Sequence, residues 1–168
     1  MRVTSKNSNK MLSQLNEELK ALQTKENLVM TFNAAVCEDV ESCRPTYDYE
    51  KTQQHILELN KKIVKLKHAI NQFNVSTKVE GYDMTIDEML VYIPQLTQIV
   101  YKLDRMKSIL PKSRQETYDR KTNIIDYVYA NYDVDAINKE WLETKEKLAD
   151  AQIALDKTNV TVEIELEI

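Results

Sequence analysis

The chain has 168 residues, a formal net charge of −4 and 30% Asp, Glu, Lys and Arg, with one glycine and three prolines. That length suffices for a single domain with a buried core, and a Gly-poor, charge-rich chain of this kind is mainly helical. The negative balance argues against broad nucleic-acid binding, which needs a basic excess against phosphates, and no apolar run reaches the roughly 20 residues of a membrane-spanning helix.

Taken in order, residues 1–9 (MRVTSKNSN) are polar and are expected to fray. No hydrophobic signal region follows them, so the expected location is the cytoplasm. A helix is predicted over residues 10–27, with Leu12, Leu15, Leu19 and Leu22 on one face. Residues 28–36 (LVMTFNAAV) lose that period and gain β-branched and aromatic side chains, which predicts a strand. Residues 37–46 read as a loop ending at Pro45. Its two cysteines, Cys37 and Cys43, are six apart, wide for a metal pair, and His55 and His68 add no ligand spacing. Reduced thiols and no metal site are the expectation.

Thr46 or Asp48 is placed to cap a long helix that ends near Asn74. Its seam is Tyr49, Thr52, Ile56, Leu59, Ile63, Leu66, Ile70 and Phe73, in alternating steps of three and four, the spacing of a helix packed lengthwise on another. Residues 75–80 (VSTKVE) alternate as a short strand, which Gly81 ends. Thr85 to Glu88 (TIDE) form a capping box, so a third helix starts there. Pro94 should kink or split it. Its seam resumes at Leu96, Ile99, Leu103, Met106 and Leu110, and Pro111 ends it. Residues 112–131 form a second connector, in which 123–130 (NIIDYVYA) read as a strand. Asp133 caps a fourth helix reaching Asn159, with its seam at Val134, Ile137, Trp141, Thr144, Leu148, Ala151, Leu155 and Thr158. Residues 160–168 alternate strictly between apolar and Thr/Glu positions, a strand with one acidic face.

The second and fourth helices match at an offset of 85, with identities at Tyr47/Tyr132, Asp48/Asp133, Leu57/Leu142, Glu58/Glu143, Lys62/Lys147, Ala69/Ala154, Asn74/Asn159 and Val75/Val160. The leucines of the first helix fall on Leu96, Ile99, Leu103 and Met106 at an offset of 84. The expected fold is therefore mainly α: one domain over residues 1–168, built as an antiparallel, coiled-coil-like four-helix bundle. It consists of two pseudo-repeated helical hairpins, 1–84 and 85–168, with short β elements at the ends. In that arrangement the strands after the second and fourth helices meet, and Lys78 faces Glu163, Glu165 and Glu167.

No catalytic constellation stands out, so the expectation is a protein that is not an enzyme and carries no cofactor. A lysine-rich strip over residues 61–79 reads as a helix C-terminus beside an acidic strand. The second connector is the better ligand candidate. Around it Lys102, Arg105, Lys107, Lys112, Arg114, Arg120 and Lys121 outnumber Asp104, Glu116 and Asp119, and Tyr118, Tyr127, Tyr129 and Tyr132 interleave. Guanidinium forks bind phosphate and tyrosine faces stack on rings, so the expected ligand is small, anionic and nucleotide-like. The site residues are Arg105, Lys112, Arg114, Tyr118, Arg120, Lys121, Tyr127 and Tyr129, set between subunits of a homo-oligomer. Three acids of the first connector, Glu38, Asp39 and Glu41, are the nearest source of neutralising charge in that reading. The competing reading is a structural scaffold whose tyrosines pack at an interface.

The stretches AINQFNVSTKVEGYDMT, PKSRQETYDRKTNIIDYVYANYD and ALDKTNVTVEIE resemble a group of small uncharacterised bacterial and phage proteins, some labelled septicolysin. The resemblance covers residues 45–168 and implies a long-helix fold and oligomers; it brings no established active site. The label implies a cytolysin, from which this chain departs in showing neither a secretion signal nor a membrane-inserting segment. By analogy of size and origin with phage proteins that sequester nucleotide immune signals, the expected role is a sponge for such a signal.

Overall fold

The computed structural model describes residues 1–115 and 126–166. The chain is mainly helical with short antiparallel strands. In order, the described elements are β1 (Arg2–Thr4), α1 (Ser5–Val29), α2 (Val40–Cys43), α3 (Tyr49–Ser76), α4 (Ile86–Lys107), β2 (Lys112–Arg114), β3 (Tyr127–Tyr129), α5 (Val134–Thr161) and β4 (Glu163–Glu165). They divide between two compact units, Met1–Ser76 with Asn159–Ile168, and Thr77–Thr158.

In the first unit α1 and α3 lie antiparallel. Near one end Glu26 of α1 accepts hydrogen bonds from the Tyr47 hydroxyl and from Gln53 Nε2, and further along Glu18 lies 3.3 Å from His55. The α3 seam packs as its spacing requires: Leu59, Ile63, Leu66, Ile70 and Phe73 are buried, while Thr52 and Ile56 are half-buried. Tyr49, the first seam position, is exposed. On α1 the four seam leucines are half-buried. Asp48 starts α3, its carboxylate accepting from the Lys51 amide at 3.1 Å.

The termini are tied together. β1 pairs antiparallel with β4, in the register Arg2↔Glu165, Val3↔Ile164 and Thr4↔Glu163. Ile164 and Leu166 are buried, and the Met1 ammonium donates to the Leu166 carbonyl at 2.8 Å. Residues 1–9 are therefore ordered, against the expectation of fraying: three of them find a partner strand some 160 positions away, and α1 begins at Ser5. Ser5 and Ser8 are buried polar residues of the first turn of α1, and Ser8 Oγ donates to the Thr4 carbonyl. The strand expected over residues 28–36 does not form. Helix α1 runs to Val29 and the rest is irregular up to α2, because β propensity without a partner strand leaves the backbone groups unpaired.

In the second unit the chain turns sharply at Gly81, whose φ of +84° suits glycine. Val79 N–H donates to the Met84 carbonyl and Ile86 N–H to the Thr77 carbonyl, so Lys78 pairs with Thr85 as a single antiparallel bridge. The expected strand over residues 75–80 shrinks to that bridge, since α3 extends through Ser76. The expected pairing of Lys78 with the Glu163 row is also replaced: Lys78 forms its ion pair with Asp83, across the Gly81 turn, and β4 pairs with β1.

Thr85 caps α4 with a full capping box closed by Glu88. Helix α4 then runs through Pro94 without interruption. Pro94 removes the partner of the Leu90 carbonyl, and Leu90 stands on an exposed face where water can replace it. Helix α5 lies antiparallel to α4. At one end the Tyr132 hydroxyl donates to the Met106 carbonyl at 2.8 Å, and at the other Lys157 lies 2.7 Å from Glu80. Asp133 caps α5 through the amides of Asp135 and Ala136. All eight predicted α5 seam positions are buried or half-buried. The α4 seam differs at two places: Ile99 is 43% exposed, with the adjacent Val100 half-buried instead, and Leu110 is 64% exposed because the helix ends at Lys107, short of Pro111.

Helices α3 and α5 each contain 28 residues, and each α3 position has its α5 counterpart 85 further on. The same offset relates Lys78 and Glu163, each of which pairs with the N-cap threonine of a helix: Thr85 for α4, Thr4 for α1.

Candidate functional site

The connector after α4 leaves the helix at Ser108 and immediately forms a two-stranded ribbon. β2 and β3 pair antiparallel as Lys112↔Tyr129, Ser113↔Val128 and Arg114↔Tyr127. The ladder extends at both ends, through Ala130 N–H to the Pro111 carbonyl at 3.1 Å and Gln115 N–H to the Asp126 carbonyl at 2.9 Å. Because side chains alternate along a strand, Lys112, Arg114, Tyr127 and Tyr129 share one face, and Ser113 and Val128 share the other.

The aromatic face is compact. The two tyrosine rings lie 6.4 Å apart and are tilted by 50°. The Lys112 ammonium sits 4.1 Å from the centroid of the Tyr127 ring and 5.5 Å from that of Tyr129. An ammonium over tyrosine faces gains cation–π attraction of about 0.5–1 kcal/mol at an exposed site. Both rings are exposed, so the platform is open to solvent. Among the described residues no carboxylate forms an ion pair with Lys112, Arg114 or Arg105.

Of the eight residues expected from sequence, the structure therefore brings four together on the ribbon: Lys112, Arg114, Tyr127 and Tyr129. Arg105 is exposed on the last turn of α4, where a cation complements the helix dipole. Tyr118, Arg120 and Lys121 lie outside the described residues. Sequence reading missed the aromatic neighbour at the base of the connector. Trp141 of α5 is flanked by two ammonium groups, Lys107 Nζ at 3.2 Å and Lys145 Nζ at 4.7 Å from its ring centroid. Lys107 is also held 3.3 Å from Asp104. The signal was present: Trp141 is the only tryptophan in the chain, and Lys145 lies one helical turn after it.

The acids expected to neutralise the connector are engaged within their own segment. Glu41 holds Arg44 in a bidentate pair at 2.9 and 2.8 Å, and that hydrogen bonding keeps the Glu41 carboxyl below its ordinary value. Glu38 accepts from the Ala35 amide and Asp39 caps α2. The lysine strip of α3 borders an open depression of about 660 Å³, lined among the described residues by α3 alone, Leu57, Lys61, Val64 and Lys65 included. The ribbon does not contribute to it.

Both cysteines are free thiols, Cys37 exposed and Cys43 half-buried. Among the described residues no group of three His, Cys, Asp or Glu is placed to hold a metal ion, and no helix is long and apolar enough to cross a membrane.

The fold has a solved counterpart. The chain is similar in structure to a functionally unknown conserved protein from Corynebacterium diphtheriae, known from its crystal structure, with a TM-score of 0.63 and 17% sequence identity. The match covers 98% of this chain and 100% of that one, so the likeness is one of whole folds. No family model matches the chain. No curated protein matches it either.

Proposed function

We propose that the protein is a non-enzymatic, homo-oligomeric binder of a small anionic ligand that carries a ring, and that the ribbon face is its site. One observation carries this reading: Lys112 lies over two tyrosine rings on the same strand-pair face as Arg114, and among the described residues no acid pairs with either cation. A ligand ring entering the platform takes the place of the Lys112 ammonium on the tyrosines. The freed ammonium and the Arg114 fork then meet its phosphate, and both contacts are stronger than the exposed cation–π contact they replace. Arg105, Tyr118, Arg120 and Lys121 complete the basic, aromatic lining in this reading, with a second subunit closing the open side. The role is that of a phage-type sponge sequestering an anionic nucleotide-derived signal, by analogy of size and origin with phage proteins that sequester nucleotide immune signals.

We also infer that the halves 1–84 and 85–168 repeat one hairpin and pack as a single antiparallel four-helix bundle. The equal lengths of α3 and α5, and the matched pairings at Lys78 and Glu163, support the repeat. Small-angle scattering tests the single bundle: a profile of two separated bodies refutes it.

The site is tested by thermal shift against nucleotides and cyclic nucleotides, followed by calorimetry on the strongest binder. A ligand at a hundred times its dissociation constant stabilises the native state by about 2.7 kcal/mol. Arg114→Ala and Lys112→Ala should each cost about 1.5–3 kcal/mol of binding, the worth of a hydrogen bond to a charged group. Unchanged affinity in both variants rejects the ribbon. Absence of any shift favours the second reading, a scaffold in which the exposed Tyr127, Val128 and Tyr129 pack against a partner chain.

A further inference from the structure

Helices α3 and α5 share a seam but not an outer face. Along α3, Leu57, Lys61, Val64 and Lys65 form an exposed stripe beside the seam, spaced i, i+4, i+7 and i+8. Their counterparts 85 positions on are Leu142, Glu146, Ala149 and Asp150 of α5, also exposed. Two lysines on one helix thus correspond to two acids on the other, while each stripe keeps an apolar strip. Leu57 is 59% and Val64 66% exposed on α3; Leu142 is 55% and Ile153, the next member of the stripe, 66% exposed on α5. Among the described residues none of Lys61, Lys65, Glu146 and Asp150 has an ion-pair partner. Lys145, at the edge of the acidic stripe, is turned onto Trp141. Glu58, at the edge of the basic one, accepts from Gln54.

We propose that the basic stripe of α3 docks on the acidic stripe of α5 in a second copy of this chain. The α3 stripe lines an open, largely apolar depression of about 660 Å³. The complementarity is specific to this pairing. Two α3 stripes, or two α5 stripes, would set like charges opposite each other, whereas an α3–α5 contact places each lysine opposite an acid in either helix polarity. The apolar residues between the charges are then removed from water on both sides. Since the two stripes belong to different helices, the contact either forms twice in a closed two-fold dimer or repeats around a ring. This inference rests on the homo-oligomer reading above and specifies its interface.

The test is light scattering and sedimentation on the full chain across micromolar concentrations. The intact protein should exceed 19.7 kDa. Lys61→Glu with Lys65→Glu should weaken self-association at least tenfold, and so should Glu146→Lys with Asp150→Lys. An equimolar mixture of those two variants should associate, because one then carries two acidic stripes and the other two basic ones. The chain with all four reversals should recover the mass of the parent. All positions are exposed, and circular dichroism checks that the helices persist. A monomeric parent overturns both the oligomer and its interface. An oligomeric parent whose mass is unchanged by the reversals, or a four-fold reversal that stays monomeric, overturns this interface alone.

Discussion

Replacing Leu166 by Ala probes the tie between the chain's two ends. Leu166 is 2% exposed, its amide donates to the Met1 carbonyl at 2.8 Å, and its carbonyl receives the Met1 ammonium. Truncating a buried leucine to alanine costs about 2–5 kcal/mol, the spread reflecting how far the cavity can collapse. A residue just beyond a terminal strand has neighbours that can relax, so the lower part of that range applies, about 2–3 kcal/mol. For a chain of this size each kcal/mol lowers the melting temperature by about 2–4 °C, so the expected drop is roughly 4–12 °C. Ile164→Ala, at a 4% exposed position opposite Val3, should behave alike. Val162→Ala is the control: it is 37% exposed, and a change there should stay within about 0.5–1 kcal/mol. Urea unfolding followed by circular dichroism gives the energies, and hydrogen exchange of the Leu166 amide reports the local opening. A Leu166→Ala cost below about 0.5 kcal/mol, with unprotected amides in β1 and β4, would refute the reasoning and leave both termini undocked.

Thr85→Ala should cost about 1 kcal/mol, because it removes the hydroxyl that accepts from the Glu88 amide; Thr85→Ser should restore most of it, read from urea midpoints. Acid should destabilise the fold through Glu41, Asp48 and Asp83, whose carboxyls are held below their ordinary values by hydrogen bonds from Arg44, the Lys51 amide and Lys78. Depressed carboxyls contribute stability that is present above their unfolded values, near pH 4, and lost as pH falls through the folded ones, so midpoints should drop below about pH 4 and Asp83→Asn should flatten that drop. Tyr47 has the opposite sign: its hydroxyl, bound to the Glu26 carboxylate, titrates above the ordinary tyrosine value. Its contribution is complete below about pH 10 and disappears as pH rises through the folded value, and Tyr47→Phe should abolish that alkaline loss in an absorbance-monitored titration. Lys107→Met should shift Trp141 emission by removing the ammonium 3.2 Å from the indole centroid, at a cost of about 0.5–2 kcal/mol; an unchanged spectrum argues against that contact.

How much of this was legible from the residues alone depended on how far apart the interacting parts lie. Apart from Tyr49 at its start, the α3 seam and the whole α5 seam could be read position by position, since a long period of three and four specifies its own face. The Thr85 box, the Asp133 cap and the Gly81 turn are likewise local chemistry, complete within a few residues. The failures over strands were matters of partnership. Residues 2–4 are too few to show a period, and their partner is at the far end of the chain. Residues 28–36 have strand-like side chains but no strand to join. The Lys78 backbone had two candidate partners, and the short turn at Gly81 won over the distant acidic strand, as the lower closure entropy of a short loop favours. At the site, the alternation of Tyr127 and Tyr129 placed both rings on one face. That Lys112 would cover them depended on the ribbon register, which no single strand carries.

The two 28-residue helices separate what packing demands from what it leaves free. Their seams are bound by the same geometry, so Leu66 and Ala151, or Phe73 and Thr158, occupy equivalent buried positions although their volumes differ widely. On the outer faces Lys61, Lys65, Glu146 and Asp150 have no ion-pair partner among the described residues, and there the chemistry reverses sign, from two lysines to two acids. A solvated face used for nothing has no physical reason to oppose its counterpart in charge while keeping Leu57 and Leu142 exposed at the same place. Exposed leucine is costly to solubility and useful at an interface, and opposite charges at matched positions are what steer two copies together and reject the wrong pairing. Oligomerisation and ligand binding then rest on different parts of the chain, the stripes of α3 and α5 for one and the β2–β3 ribbon for the other. The charge reversals and the Arg114→Ala and Lys112→Ala variants should accordingly separate: reversals that dissolve the oligomer remove only what a second subunit adds to the ribbon, whereas ribbon variants leave the oligomer mass untouched.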